Sequence, residues 1–180
     1  MSNLSLDEKA SEQVLGLDSD ESVQKIINIR AKSEDEQNPN KYPYHKISRK
    51  ALCLSTIIDA AFQGDSEETE YEFDLKPDMM ELIIEWLTKH DGKAPEPVKK
   101  PIRSKNISEI VSDPWDATFL SKLPKAQLYE LTKAANFLDI KPLLDICAAK
   151  IASIIKGVPL EKAEEALDPN TPEPEEQKTN

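Results

Sequence analysis

Short strand-like segments occur only in the first 75 residues of this 180-residue chain, whereas helical periodicity dominates the rest. Residues 23–31, 42–47 and 70–75 are rich in β-branched or aromatic side chains, and the last of them alternates apolar with acidic positions. Segments this short form only a small sheet, which needs helices against it to enclose a core. The sequence therefore predicts an α+β fold, a small three-stranded sheet with helices that is followed by a helical extension.

The predicted helices follow from apolar residues that recur at three- and four-residue spacing. One helix is predicted between the strands, over residues 48–64, and a second over 77–92, each closed by a glycine. A short helical turn over 113–120 precedes two stronger helices, over 123–139 and 140–157. Because almost no residues separate these last two, we expect them to pack as an antiparallel hairpin.

Charge and proline divide the chain further. The acids are concentrated at the ends, where residues 1–22 and residues 158–180 each carry a net charge of -5 out of the total of -11. Residues 93–110 hold three prolines and five basic residues against two acids, so we expect a solvated linker with little packing. The predicted organisation is an acidic disordered N-terminus (1–22), a sheet-containing domain (23–92), a basic Pro-rich linker (93–112), a helical extension (113–157), and a short helix with an acidic disordered tail (158–180).

Several classes of function are excluded or disfavoured by composition. The four glycines are so far apart that neither common nucleotide-binding loop nor a G-x-S-x-G nucleophile turn is possible. Two histidines and two distant cysteines, Cys53 and Cys147, provide no catalytic or metal-binding constellation, and both cysteines are expected to be buried. We therefore expect no enzyme activity, no cofactor and no metal. The acidic charge and the absence of a long apolar run argue against nucleic acid and membrane as partners.

Four motifs carry a resemblance to a known family: LSTIID (54–59), IIEWLTKH (83–90), DPWDATFL (113–120) and AANFLDIKPLLD (134–145). With their order and spacing, the chain from about Val23 to Gly157 resembles the S-phase kinase-associated protein 1 family. The resemblance implies a BTB/POZ fold for the first domain, followed by the helical extension that is the dimerisation-type domain of the family.

Members of that family are adaptors without enzyme activity that bridge a cullin and an F-box protein for substrate ubiquitination, in the cytoplasm and nucleus. The resemblance implies that Asn136 and Phe137 contact the cullin, with Phe137 standing where the family has tyrosine. It also implies an F-box surface made of Leu128, Thr132, Leu144, Ala148, Ile151 and Ile155.

Three departures from the family pattern favour a divergent member with a shortened C-terminus. The linker is basic where the family commonly has acids, Thr132 replaces an aliphatic residue, and the chain after Gly157 differs. The alternative is a BTB-fold scaffold that acts in another assembly or self-associates without F-box recognition, although a homo-oligomer is not the preferred expectation. The apolar stripe of the last helix, from Leu144 to Ile155, equally suits packing inside the monomer. We expect Trp86 to contribute to packing.

Overall fold

The computed structural model describes most of the chain, namely residues 25–35, 37–38, 40–62 and 69–171. Its strands form one three-stranded sheet in the order β2-β1-β3, with bounds β1 Ile26–Ala31, β2 His45–Ser48 and β3 Glu70–Phe73. β1 is the central strand, antiparallel to β2 and parallel to β3. The predicted α+β architecture with a small three-stranded sheet is confirmed.

The helices account for most of the remaining described residues. Their bounds are α1 Arg49–Leu52, α2 Thr56–Phe62, α3 Pro77–His90, α4 Pro114–Ser121, α5 Lys125–Phe137, α6 Lys141–Ile155 and α7 Ala163–Leu167, with 3-10 turns at Ile107–Glu109 and Leu160–Lys162. α5 and α6 pack against each other as the predicted hairpin, and α7 is the predicted short helix after it. The predicted disordered N-terminus and most of the predicted tail lie outside the described residues.

The single helix predicted over 48–64 is wrong, because the structure has two helices there. Ser48 caps α1, its hydroxyl accepting a hydrogen bond from the Ala51 N–H at 3.1 Å. α2 starts afresh because the Ser55 hydroxyl accepts from the Ile58 N–H and donates to the Leu138 carbonyl of the α5–α6 connection. Tertiary hydrogen bonding thus divides one periodic segment into two helices. The glycine expected to end it lies outside the described residues.

The linker is packed, contrary to the expectation from its charge and prolines. Val98, Ile107 and Val111 are buried in the same core as the helices. The Lys156 ammonium, near the end of α6, donates to the Ile102 carbonyl at 2.9 Å. The few apolar side chains of this segment anchor it along α6, while its lysines and arginine stay in solvent.

The two cysteines differ from each other. Cys147 is buried as predicted, and burial raises the pKa of its thiol to about 12. Cys53 is exposed, so its predicted burial is wrong. It follows directly after α1, at the break between the two helices.

Helix α3 joins the sheet to the helical extension. It packs on β1, β2 and α1 and also on α5, and it buries Met79, Met80, Ile83, Trp86 and Leu87 to within 2% of full burial. The Trp86 indole N–H donates to Asp116 Oδ1 on α4 at 2.9 Å, and His90 Nε2 lies 3.0 Å from the same oxygen. The predicted packing role of Trp86 is confirmed.

None of the helices that the structure describes is long and apolar enough to cross a membrane.

Replacing Trp86 by Ala is expected to lower the free energy of unfolding by about 3 to 5 kcal/mol, since it leaves a cavity and removes a donor to a buried carboxylate. Trp86→Phe, which keeps most of the ring volume, is expected to lose about 1 to 2 kcal/mol through the missing N–H. Urea denaturation measures both. Trp115→Ala is the control at a partly exposed tryptophan. Equal losses for the Trp86 and Trp115 alanine variants would contradict the central role of Trp86.

Candidate functional site

The last turn of α5 presents two side chains to solvent. Asn136 is exposed and Phe137 is 49% exposed, while Leu138, the next residue, is buried. Asp139 then turns the chain toward α6 with a left-handed backbone, at φ 48°. An aromatic ring exposed to this degree beside an amide is a combination suited to protein recognition.

The start of α2 lies against this end of α5. The Thr56 N–H donates to the Asp139 carbonyl at 3.4 Å, and the Thr56 hydroxyl donates to the Asp139 carboxylate. Next to Thr56, Ile57 is 50% exposed. We call Ile57, Asn136 and Phe137 together the α2–α5 surface. Sequence reasoning did not include Ile57, because the α2 spacing identified only the buried neighbour Ile58.

A second surface lies on α6. Leu144, Ile151 and Ile155 are half-buried and Ala148 is exposed, and together these four residues form the α6 stripe. The two α5 residues that were expected to share this surface differ from them. Leu128 is fully buried within the chain, so it supports the hairpin and presents no side-chain surface. The Thr132 hydroxyl donates to the Leu128 carbonyl at 2.6 Å.

Helix α7 folds back onto the hairpin. The Lys125 ammonium, which is only 4% exposed, donates to the Ala166 carbonyl at 2.9 Å. The Tyr129 hydroxyl donates to the Leu167 carbonyl. These donors satisfy carbonyls at the C-terminal end of α7, where a cation is also favoured by the helix dipole. Sequence reasoning missed both anchors, because polar residues near the start of a helix are usually solvated.

One group of potential metal ligands exists among the described residues. Ligand atoms of His90, Asp113 and Asp116 lie within 4.8 Å of one another. Hydrogen bonds account for this proximity, since His90 pairs with Asp116 and Asp113 caps α4 through the Trp115 N–H. Asp116 Oδ2 is buried without a hydrogen-bond partner. We assign no metal to this cluster.

Comparison with known proteins relates the chain to one group of relatives, although no family model matches it. It is 38% identical over 138 residues to an S-phase kinase-associated protein 1 homolog of Tetrahymena thermophila, covering 73% of this chain and 78% of the relative. It is 35% identical over 142 residues to a Skp1-related protein of Caenorhabditis elegans, covering 73% and 79%. The chain belongs to the S-phase kinase-associated protein 1 family.

A fungal member of the family has a name that states its assembly. The E3 ubiquitin ligase complex SCF subunit sconC of Talaromyces stipitatus is 32% identical over 134 residues, which cover 73% of this chain and 81% of that protein. The family resemblance drawn from the motifs is thus confirmed. In this S-phase kinase-associated protein 1 family member, α7 packs on the α5–α6 hairpin after Gly157 and is held there by its two hydrogen-bonded anchors. This is the region in which the sequence predicts a shortened C-terminus.

Replacing Lys125 by Met is expected to release α7. A charged hydrogen bond is worth about 1.5 to 3 kcal/mol, so amides of α7 should exchange with solvent about tenfold faster or more. Native-state hydrogen exchange measures this, with Lys133→Met, an exposed position on the same helix, as control. Unchanged exchange in α7 of the Lys125 variant would show that the lysine does not hold this helix.

Proposed function

We propose that this chain is an adaptor subunit of an SCF-type ubiquitin ligase, without enzyme activity, that bridges a cullin and an F-box protein for substrate ubiquitination. The main support for this proposal is that the α5–α6 hairpin of this family member presents two separate, partly apolar surfaces. One lies at the α5 end and the other along α6. The name of the fungal relative, an SCF subunit, supports the same assembly.

The α2–α5 surface is the proposed cullin contact. Phe137 offers an aromatic anchor, Asn136 supplies donors and an acceptor beside it, and Ile57 extends the apolar area. Rings of this kind are common among the few residues that dominate binding energy. The surface is held in place by the hydrogen bonds from Thr56 to Asp139, so little ordering is required on binding.

The α6 stripe is the proposed F-box contact. Large side chains at Leu144, Ile151 and Ile155 flank the small Ala148, so a partner helix has an apolar ridge and a recess to fill. Thr132 is half-buried on the neighbouring helix α5. Leu128, on the same helix, is fully buried and supports the hairpin from inside the core. Because these aliphatic side chains are only half-buried, a partner can still cover part of their apolar surface. Each Å² of apolar surface that it covers contributes about 25 cal/mol to binding.

The proposed role places the protein in the cytoplasm and nucleus, which is a further part of this proposal. The alternative, a self-associating scaffold, would use these same surfaces between copies of the chain. It is therefore an outcome that the binding experiments below also detect.

Replacing Asn136 and Phe137 together by Lys is expected to weaken cullin binding at least a hundredfold, about 3 kcal/mol, because two charges replace the proposed anchor. Isothermal titration with a purified cullin N-terminal region measures the loss. The control is Ala126→Lys with Gln127→Lys, which adds the same charge at exposed positions of the same helix. Full cullin affinity in the folded Asn136/Phe137 variant would remove this surface from the proposal.

Replacing Ala148 by Glu is expected to weaken F-box binding at least a hundredfold, since a partner helix would have to desolvate an unpaired carboxylate. Folding should tolerate the change because Ala148 is exposed. Titration with a panel of F-box domains measures it. Each surface variant serves as the control for the other: Ala148→Glu should keep cullin binding, and the double lysine variant should keep F-box binding. Loss of both partners in one variant would contradict two independent surfaces.

A further inference from the structure

The linker carries a basic strip in an otherwise acidic protein. Lys99, Lys100, Arg103 and Lys105 are all exposed, and no acid stands among residues 98–105. We call these four residues the basic strip. The adaptor function proposed above uses none of them, and an uncompensated row of cations attracts an anionic partner.

The backbone of the basic strip is held in place by packing and by a hydrogen bond. Val98 is buried beneath it, and the Lys156 ammonium holds the Ile102 carbonyl at 2.9 Å. A cavity of about 470 Å³ opens here, lined by the first three residues of the basic strip together with Ile102, Ile110 and Glu109. Its lining combines basic side chains with the aliphatic Ile102 and Ile110. Such a site suits a segment that mixes acids with aliphatic residues.

Acids near the strip neutralise it only in part. Lys100 Nζ lies 3.6 Å from Asp145 Oδ1, but both side chains are more than half exposed, so this pair contributes little. Glu109 also lines the cavity, and among the described residues it forms no ion pair with the strip. A net positive surface therefore remains for a partner.

Lys25, the first described residue after the acidic N-terminal segment, lies close to the start of the linker. The Lys25 carbonyl accepts from the Arg49 N–H at 2.9 Å, and the adjacent Lys50 forms an ion pair with Asp91 at 2.6 Å. The backbone of Lys50 also lies close to Gly92. The Lys50 carbonyl oxygen is 2.6 Å from the position that a Cβ atom at residue 92 would occupy. Lys25 and the residues that precede the linker, Asp91 and Gly92, thus lie close to the same short segment, Arg49 and Lys50.

We propose that residues 7–21 of this chain dock on the basic strip of the same molecule. Residues 1–22 hold six acids and one lysine, interspersed with Leu and Val, which matches a cavity lined by basic and aliphatic side chains. The 24 residues before Lys25 span up to about 80 Å when extended, so reach is no obstacle. The C-terminal segment fits less well, because residues 172–180 carry only three acids and one lysine and follow α7, which is held on α5.

Tethering makes such a contact feasible. Individual exposed ion pairs are weak, but a segment attached to the same fold has an effective concentration in the millimolar range. Contacts of this kind are screened by salt, since the Debye length falls from about 30 Å at 0.01 M to about 3 Å at 1 M. The docked segment would exclude other anionic segments from the strip.

Paramagnetic relaxation enhancement on the full chain tests the proposal. A nitroxide is attached to Ser19→Cys in a Cys53→Ser background, because Cys53 is exposed and Cys147 is buried. At low salt we expect broadening of the amides of residues 99–105, and its loss at about 1 M NaCl. No broadening of these amides at low salt would overturn the proposal, as would broadening that salt leaves unchanged.

Charge variants of the same labelled chain identify the contact. Neutralising the four residues of the basic strip to Gln should abolish the broadening. The control removes the same charge from exposed lysines outside the linker and should preserve the broadening: Lys32, Lys46, Lys76 and Lys133 to Gln. Thermal unfolding confirms that both variants are folded. Loss of broadening in both variants would indicate general attraction rather than docking on the strip.

A mixed sample separates docking within one molecule from docking between two. Isotope-labelled chain without nitroxide is mixed with unlabelled chain that carries it. We expect no broadening of residues 99–105 in this mixture. Broadening there would mean that the segment binds a second copy, which contradicts docking within one molecule.

Discussion

The buried contact between Trp86, His90 and Asp116 connects the two halves of this protein. The Trp86 indole N–H and His90 Nε2 approach one side-chain oxygen of Asp116, at 2.9 and 3.0 Å, in a region from which solvent is almost excluded. A buried polar group is costly unless hydrogen bonds compensate it, so these side chains of α3 and α4 depend on each other. α3 also packs on the sheet and on α5, and this places the helical hairpin at a defined position relative to the sheet.

That position determines where the candidate partner surfaces lie. α5 is 13 residues long, about 20 Å, with Phe137 at its end and the α7 anchor Lys125 at its start. Thr56 fixes α2 to the α5–α6 connection, so the α2–α5 surface combines residues from both halves of the chain. Two separate surfaces connected by the same hairpin suit the proposed bridging role. Binding of one partner then does not require the surface for the other partner to rearrange.

How much the sequence predicts depends on whether a feature is local. The hairpin, the short α7 and the burial of Trp86 follow from periodicity and are present as predicted. The break before α2 depends on a hydrogen bond from Ser55 to Leu138, 83 residues away, which no local pattern reveals. The linker was expected to be solvated because its charges and prolines outnumber its few apolar anchors.

The same distinction between local features and features that depend on tertiary contacts applies to the candidate site. Family motifs identify Asn136 and Phe137, and both prove to be exposed. The same reasoning assigned Leu128 to a partner surface, but Leu128 is completely buried within the chain. Ile57 was missed because the α2 spacing identified only its buried neighbour Ile58. Residues that act through tertiary contact therefore need the structure.

Whether one molecule holds both partners at once tests the bridging role most directly. The purified chain would be mixed with a cullin N-terminal region and an F-box domain and measured by size-exclusion chromatography with light scattering. We predict one complex with the mass of one copy of each component. Mutually exclusive binding of the two partners, or a homo-oligomer that binds neither, would contradict the bridging role.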